Sequence, residues 1–213
     1  QLAFSLSDIL ISTAGIHPHQ AKEFSQNYFS EIKDLLKKEN VKAIGETGLD
    51  FYRNFSTEEQ QKKSFEMHIE TSIELQKPLF LHVRNAHSTF MEMLEPVKEK
   101  LPKTVVHCFT GTEEELMDYI EMDFYIGITG WICDERRGVH LKELINLIPK
   151  DKIMIETDAP YLIPRVSQLK NSQRNEPKFL PHVAKEVAQN SKETKESLIS
   201  SMYMNSLSFF DLD

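Results

Sequence analysis

Short runs of apolar, β-branched residues alternate along this chain with longer stretches whose apolar positions recur every three or four residues. The first pattern predicts strands and the second amphipathic helices. Strands are expected over 9–16, 41–45, 78–83, 104–108, 124–128 and 152–156, with helices over 25–39, 57–76, 86–99, 113–121 and 139–148. Two more helices, 180–189 and 195–209, close the chain. Two starts are well signed. Ser56 and Thr57 precede Glu58 and Glu59, placing a cap and acidic side chains at a helix N-terminus. Thr112 with Glu115 has the spacing of a capping box.

Strands that alternate with helices imply parallel pairing and right-handed crossovers. The uniformly apolar strands fit a sheet covered on both faces. The fold class is therefore α/β, with six βα units. Six units fit an open doubly wound sheet or part of a barrel, and periodicity does not choose between them. No repeat or linker divides the chain, so one domain over 1–213 is expected. The polar stretch 167–175 reads as a long surface loop.

Composition narrows the picture a little. No apolar run reaches the roughly 18 residues of a membrane span, so no membrane role is expected. The chain opens on Gln1 rather than Met, so a targeting signal upstream stays open, and within the given residues no basic-plus-apolar leader is expected. Two cysteines, Cys108 and Cys133, lie far from any C-x-x-C pairing and read as free thiols in a reducing cytoplasm. The net charge of −8 argues against broad electrostatic binding of duplex DNA. It leaves room for an enzyme that grips one strand end locally. No obligate protein partner is evident.

The strand ends carry the chemistry. They read Gly15-Ile16-His17-Pro18-His19, Gly45-Glu46-Thr47-Gly48-Leu49-Asp50, His82-Val83-Arg84, His107-Cys108-Phe109 and Glu156-Thr157-Asp158-Ala159-Pro160. In a barrel such ends meet on one face, and that face carries the active site. Imidazole nitrogens and carboxylate oxygens suit divalent zinc, manganese or magnesium. A pair of such ions polarises a phosphoryl oxygen and lowers the pKa of bound water. On this reading Glu46 bridges two ions, His82 and His107 ligate one, and Asp158 binds the other and accepts a proton from the attacking water. Each residue also has a duller reading. A lone histidine after a strand is more often a hydrogen-bonded structural residue. Glu46 could pair with an arginine, Asp158 could cap its turn, and His19 could cap the helix that follows. His68, His87, His140 and His182 fall in helical segments and read as surface or core residues. Trp131 reads first as a packing residue, with base stacking as the other reading.

The runs STAGIHPH, AIGETGLDFYRNFST, LHVRNAH, HCFTGT, YIGITGWICDERRG, MIETDAPYLIPR and RNEP resemble, in order, the TatD family of metal-dependent deoxyribonucleases. The resemblance implies a (β/α)8 barrel of the TIM type. It implies hydrolysis of DNA phosphodiesters by a metal-activated water, as a 3′→5′ exonuclease preferring single strands. Magnesium is the expected ion, with zinc or manganese as substitutes, two per site in the complete protein. Glu46, His82, His107 and Asp158 look like the family's metal ligands, with Glu46 and Asp158 catalytic. His17, Arg53, Arg84 and Arg165 look like the substrate-binding set, His17 near the phosphate, Arg53 and Arg165 in contact with phosphates, and Arg84 at a family position that supports the site or the structure. The family begins with a strand carrying a short metal-binding motif, and another βα unit follows it. Neither matches anything in this chain, so a barrel lacking its first two units is expected. Two other readings stay open: a hydrolase of the same superfamily acting on a non-nucleic-acid ester, and an inactive barrel fragment serving as a binding module.

Overall fold

Parallel strands, each followed by a helix, build the chain in the computed structural model, which describes residues 2–6 and 9–212. The contacts fall into two units, Gln1–Val105 with Phe209–Asp211, and Val106–Ser208 with Leu212–Asp213.

The first unit runs α1 (Leu2–Ser5), β1 (Ser12–Ala14), α2 (Gln26–Leu36), β2 (Val41–Asp50), α3 (Glu58–Leu75), β3 (Leu79–Arg84) and α4 (His87–Leu94), with β4 (Thr104–Val106) starting at its boundary. β1 pairs in parallel with β2, and β2 with β3. Ser25 starts α2 by accepting the Tyr28 amide at 3.2 Å. Thr57 and Gln60 close a reciprocal capping box at the start of α3. Phe65, His68 and Ile69 line the buried face of α3, which packs on β2. The Phe65 ring stacks on Phe90 of α4 at 5.4 Å. Burying a side chain of this size contributes about 1.5–3 kcal/mol. Pro96 lacks an amide proton, and the helix expected over 86–99 gives way at Glu95 to a 3-10 stretch.

β2 runs five residues past its expected end. Gly45 and Gly48 both lie inside the ladder, at φ 151° and 135°. A Cβ on them would fall 2.3 Å from the Phe80 carbonyl oxygen and 2.0 Å from that of His82. Only glycine lets the two backbones come so close. The ladder shifts register between Gly45 and Thr47 and ends at the pair Asp50–Arg84. The extension puts Glu46 and Asp50 on one strand.

The second unit contains α5 (Glu113–Glu121), β5 (Tyr125–Ile128), α6 (Val139–Leu144), β6 (Ile153–Ile155), α7 (Leu180–Asn190) and most of α8 (Lys195–Phe210). β5 pairs in parallel with β6. The capping box of Thr112 and Glu115 forms as expected. Leu116, Ile126, Ile128, Val183 and Val187 are buried at its core. Asn205 of α8 is also buried, and its amide donates to the carbonyls of Lys150 at 2.9 Å and Ile153 at 2.7 Å. These bonds tie the helix to the start of β6.

The stretch 167–175 is not the free polar loop its composition suggests. It contains a 3-10 turn, Ser167–Leu169, and Leu169 is buried. Asn175 is 2% exposed and binds back onto the segment after β6. Its side chain donates to the carbonyls of Thr157 at 2.7 Å and Leu162 at 3.1 Å, and its backbone amide to that of Pro160 at 3.0 Å. The polar side chain thus satisfies backbone groups that would otherwise be stranded.

Candidate metal centre

In the first unit, the run after β1, the middle of β2 and the C-terminal half of β3 bring His17, Glu46 and His82 together, with ligand-type atoms within 4.8 Å of one another. One oxygen of Glu46 lies 2.8 Å from His82 Nδ1 and 3.3 Å from His17 Nε2. The His17 and His82 rings meet edge-on at 4.9 Å. Behind them Asp50 is 1% exposed. Its Oδ2 lies 2.7 Å from His19 Nε2 and 3.4 Å from His82 Nε2, while Oδ1 accepts the amides of Tyr52 and Arg53 at 3.0 and 2.8 Å. Burial alone would raise the Asp50 carboxyl. The nearby His82 imidazole and the hydrogen bonds from His19 and the Arg53 amide outweigh it and hold the group well below the usual carboxylate range. Burial and the neighbouring imidazoles lower His19, against the pull of Asp50.

In the second unit, His107, Cys108 and Asp158 likewise bring ligand-type atoms within 4.8 Å. His107 is buried, and its Nδ1 lies 2.7 Å from Glu156 Oε2. The other Glu156 oxygen accepts the Cys108 amide at 2.7 Å. Cys108 and Asp158 both adopt positive φ, 49° and 55°. Such a conformation is uncommon for residues with a Cβ and clusters at functional sites. Gly127 on β5 makes room for the glutamate, since a Cβ there would sit 2.2 Å from Glu156 Oε1. A His107 that donates from Nδ1 to a carboxylate leaves Nε2 as the ligand atom. The donors of both clusters, imidazole and carboxylate with one thiol, fit a borderline or hard divalent ion.

The residues singled out from the sequence fall as follows. His17, expected at the substrate phosphate, lies with Glu46 and His82 in the ligand cluster. His107 lies with Asp158. Arg84, at the end of β3, stacks its guanidinium over the Tyr52 ring at 4.0 Å. Arg53 is exposed on the loop that Asp50 caps, and Arg165 reaches Asp134 at 3.5 Å. His19 does not cap the following turn: that role belongs to His17, whose Nδ1 accepts the His19 amide at 3.1 Å. His68 is a core residue. Its Nε2 accepts the Ile16 amide at 3.0 Å and its Nδ1 donates to the Ser64 carbonyl at 2.6 Å. Burial pushes its pKa down to about 4. Sequence reasoning missed Asp50 and Glu156 as partners of the histidines. The signal was present, because each is a carboxylate at a strand end beside a ligand-type residue, where histidine ligands find their orienting acceptors.

The sequence model of the family described as TatD related DNase matches residues 1–211. The protein named 3′-5′ ssDNA/RNA exonuclease TatD from Pantoea ananatis is 46% identical over 213 residues, covering 100% of this chain and 82% of that protein. Its namesake from Escherichia coli K12 is 50% identical over 178 residues, covering 83% of this chain and 68% of that protein. Among solved structures, a TatD homologue from Escherichia coli K12 superposes with a TM-score of 0.90 at 22% identity, over 100% of this chain and 81% of that one. A hydrolase of the TatD family from Entamoeba histolytica gives 0.83 at 27% identity, over 94% and 74%. The fold class is thus that of the TIM-barrel hydrolases, as the sequence resemblance implied.

Proposed function

The chain belongs to the TatD family of DNases, and from that premise we propose that it hydrolyses DNA phosphodiester bonds as a divalent-metal-dependent 3′→5′ exonuclease on single strands. The observation that carries this reading is the convergence of imidazole and carboxylate ligand atoms within 4.8 Å in each unit, on or just after its strands. The names of the relatives support the substrate class.

His17, Glu46 and His82 would hold one ion, and His107 with Asp158 another, a grouping that departs from the expected sharing of one ion by His82 and His107. Magnesium is the ion of choice, with zinc or manganese as substitutes. A bound divalent ion supplies Lewis-acid polarisation of the phosphoryl oxygen and a lowered water pKa. Glu156 fixes the tautomer and ring orientation of His107, and Asp50 does the same for His19 and His82. Asp158 takes the proton of the attacking water as the new P–O bond forms, and returns it to the leaving oxygen as the old one breaks. Arg53, Arg84 and Arg165 contact phosphates of the strand. The chain works as one hydrolase domain over 1–213. A cytoplasmic setting is part of this reading, supported by Cys108 and Cys133, which are not joined in a disulfide. Among the described residues no helix is long and apolar enough to cross a membrane.

The experiment is digestion of single-stranded DNA labelled at either end, with magnesium, manganese or zinc and with chelator. A ladder that shortens from the 3′ end with an added ion, and not with chelator, is expected. Intact DNA under every ion would sink the proposal.

A further inference from the structure

The second unit carries an aromatic and cationic groove that the metal clusters do not use. A cavity of about 220 Å³ is lined by Gly130, Trp131, Arg136, Arg137, Leu162 and Arg165, among others. Arg165 also lines a second cavity of about 420 Å³, with Lys170 and Ser167 on its wall. Trp131 is the only tryptophan in the chain. It sits half-buried in a 3-10 turn, Gly130–Cys133, whose first bond is the Trp131 amide to Thr129 Oγ1 at 3.4 Å. The Arg137 guanidinium lies 5.2 Å from its ring centre. Asp134 is buried and orients two further arginines. Its Oδ1 accepts the Arg136 amide at 2.9 Å, and its Oδ2 lies 3.4 Å from a terminal nitrogen of Arg136 and 3.5 Å from Nε of Arg165. Both side chains are more than half exposed, and each guanidinium carries more donors than Asp134 engages, which leaves some for an incoming anion. Gly130 holds the two walls together, because a Cβ there would lie 2.3 Å from the Leu162 carbonyl oxygen.

A flat aromatic surface beside aimed guanidinium groups is the chemistry that grips a nucleotide without reading its identity. In a chain of net charge −8 the background field repels phosphates, so attraction has to be local. We propose that this groove is a subsite for one nucleotide of single-stranded DNA, with the base stacked on Trp131 and its phosphate held between Arg136 and Arg165. The proposal deepens the exonuclease reading and rests on it for the substrate class. Asp134 acts as a positioning residue, since it fixes the arginines without touching the strand.

The test uses the full chain in chelator, which prevents hydrolysis, and follows the emission of the single tryptophan. An oligothymidylate should quench it saturably. An abasic oligomer of equal length and charge should leave it unmoved and bind about tenfold more weakly. Trp131→Leu should bring oligothymidylate binding, read by anisotropy of a labelled strand, down to the abasic level, and Trp131→Phe should recover most of it. The double variant Arg136→Ala with Arg165→Ala should flatten the slope of log affinity against log salt by about 0.7 per lost phosphate contact. Emission unmoved at saturation, or a salt slope unchanged in the double variant, overturns the subsite. If the quench appears but no ion supports hydrolysis, the exonuclease reading fails and the subsite stands. If hydrolysis proceeds without any quench, the reverse holds.

Discussion

Glu156 and His107 form a carboxylate–imidazole pair, Oε2 to Nδ1 at 2.7 Å, on the strand-end face of the second unit. The same glutamate holds the Cys108 amide with its other oxygen, so one side chain sets both the ring and the backbone beside it. Glu156→Gln keeps the size but removes the charge. We expect metal affinity or activity to fall about 10–100-fold, with little change in melting temperature. Calorimetric titration with manganese, alongside the DNA digestion rate, checks this. An unchanged affinity would show that His107 needs no orienting partner.

Gly127 stands under that glutamate. Gly127→Ala places a methyl 2.2 Å from the position of Oε1 and forces the carboxylate off His107. The variant should lose activity as Glu156→Gln does, and also lose about 1–3 kcal/mol of stability from overpacking. Denaturant unfolding next to the digestion assay separates the two losses. Full activity would mean that Glu156 can shift without consequence.

Asp158 is assigned the proton transfer. Asp158→Asn should lower kcat by about 10²–10⁴-fold, while binding of single-stranded DNA in chelator stays near the wild-type value. Chelator should silence the wild-type protein, and added divalent ion should restore it. Retained turnover in Asp158→Asn would move the base elsewhere.

His68 makes stability depend on pH. Its folded pKa, near 4, lies below its ordinary 6.5, so the folded chain binds fewer protons than the unfolded one between those values. The stability it supports is fully present above about 6.5, and it is lost as pH falls through the window toward 4. The loss is on the order of 3 kcal/mol. His68→Leu should flatten this dependence. At neutral pH it should cost about 1–3 kcal/mol by stranding the Ile16 amide. Urea midpoints at pH 7.5 and 5 for both proteins decide it, and parallel pH profiles would rule the mechanism out.

The elements were legible because their signals are local. Apolar periodicity and the hydroxyl caps at Thr57 and Thr112 act within a few residues of the structure they start. Strand-end histidines and carboxylates were legible for a similar reason, since metal chemistry needs particular atoms and alternating βα order brings those ends to one side. The extension of β2 was not legible. Gly45 and Gly48 serve a close approach to β3 that no neighbour in sequence announces. The partnership of His107 with Glu156 spans 49 positions, and that of His19 with Asp50 spans 31. Such pairs become visible only when the histidines are asked which acceptor orients them.

Asn175 ties down the backbone at Thr157, Pro160 and Leu162, on both sides of Asp158. The acidic residue is therefore located by a clasp far downstream in the chain, and the intervening stretch 163–174 is released from that duty. Substitutions in that stretch that spare the Asn175 contacts should therefore leave the clasp shut. Under the proposed function, the groove wall that includes Arg165 can thus change in sequence without moving Asp158.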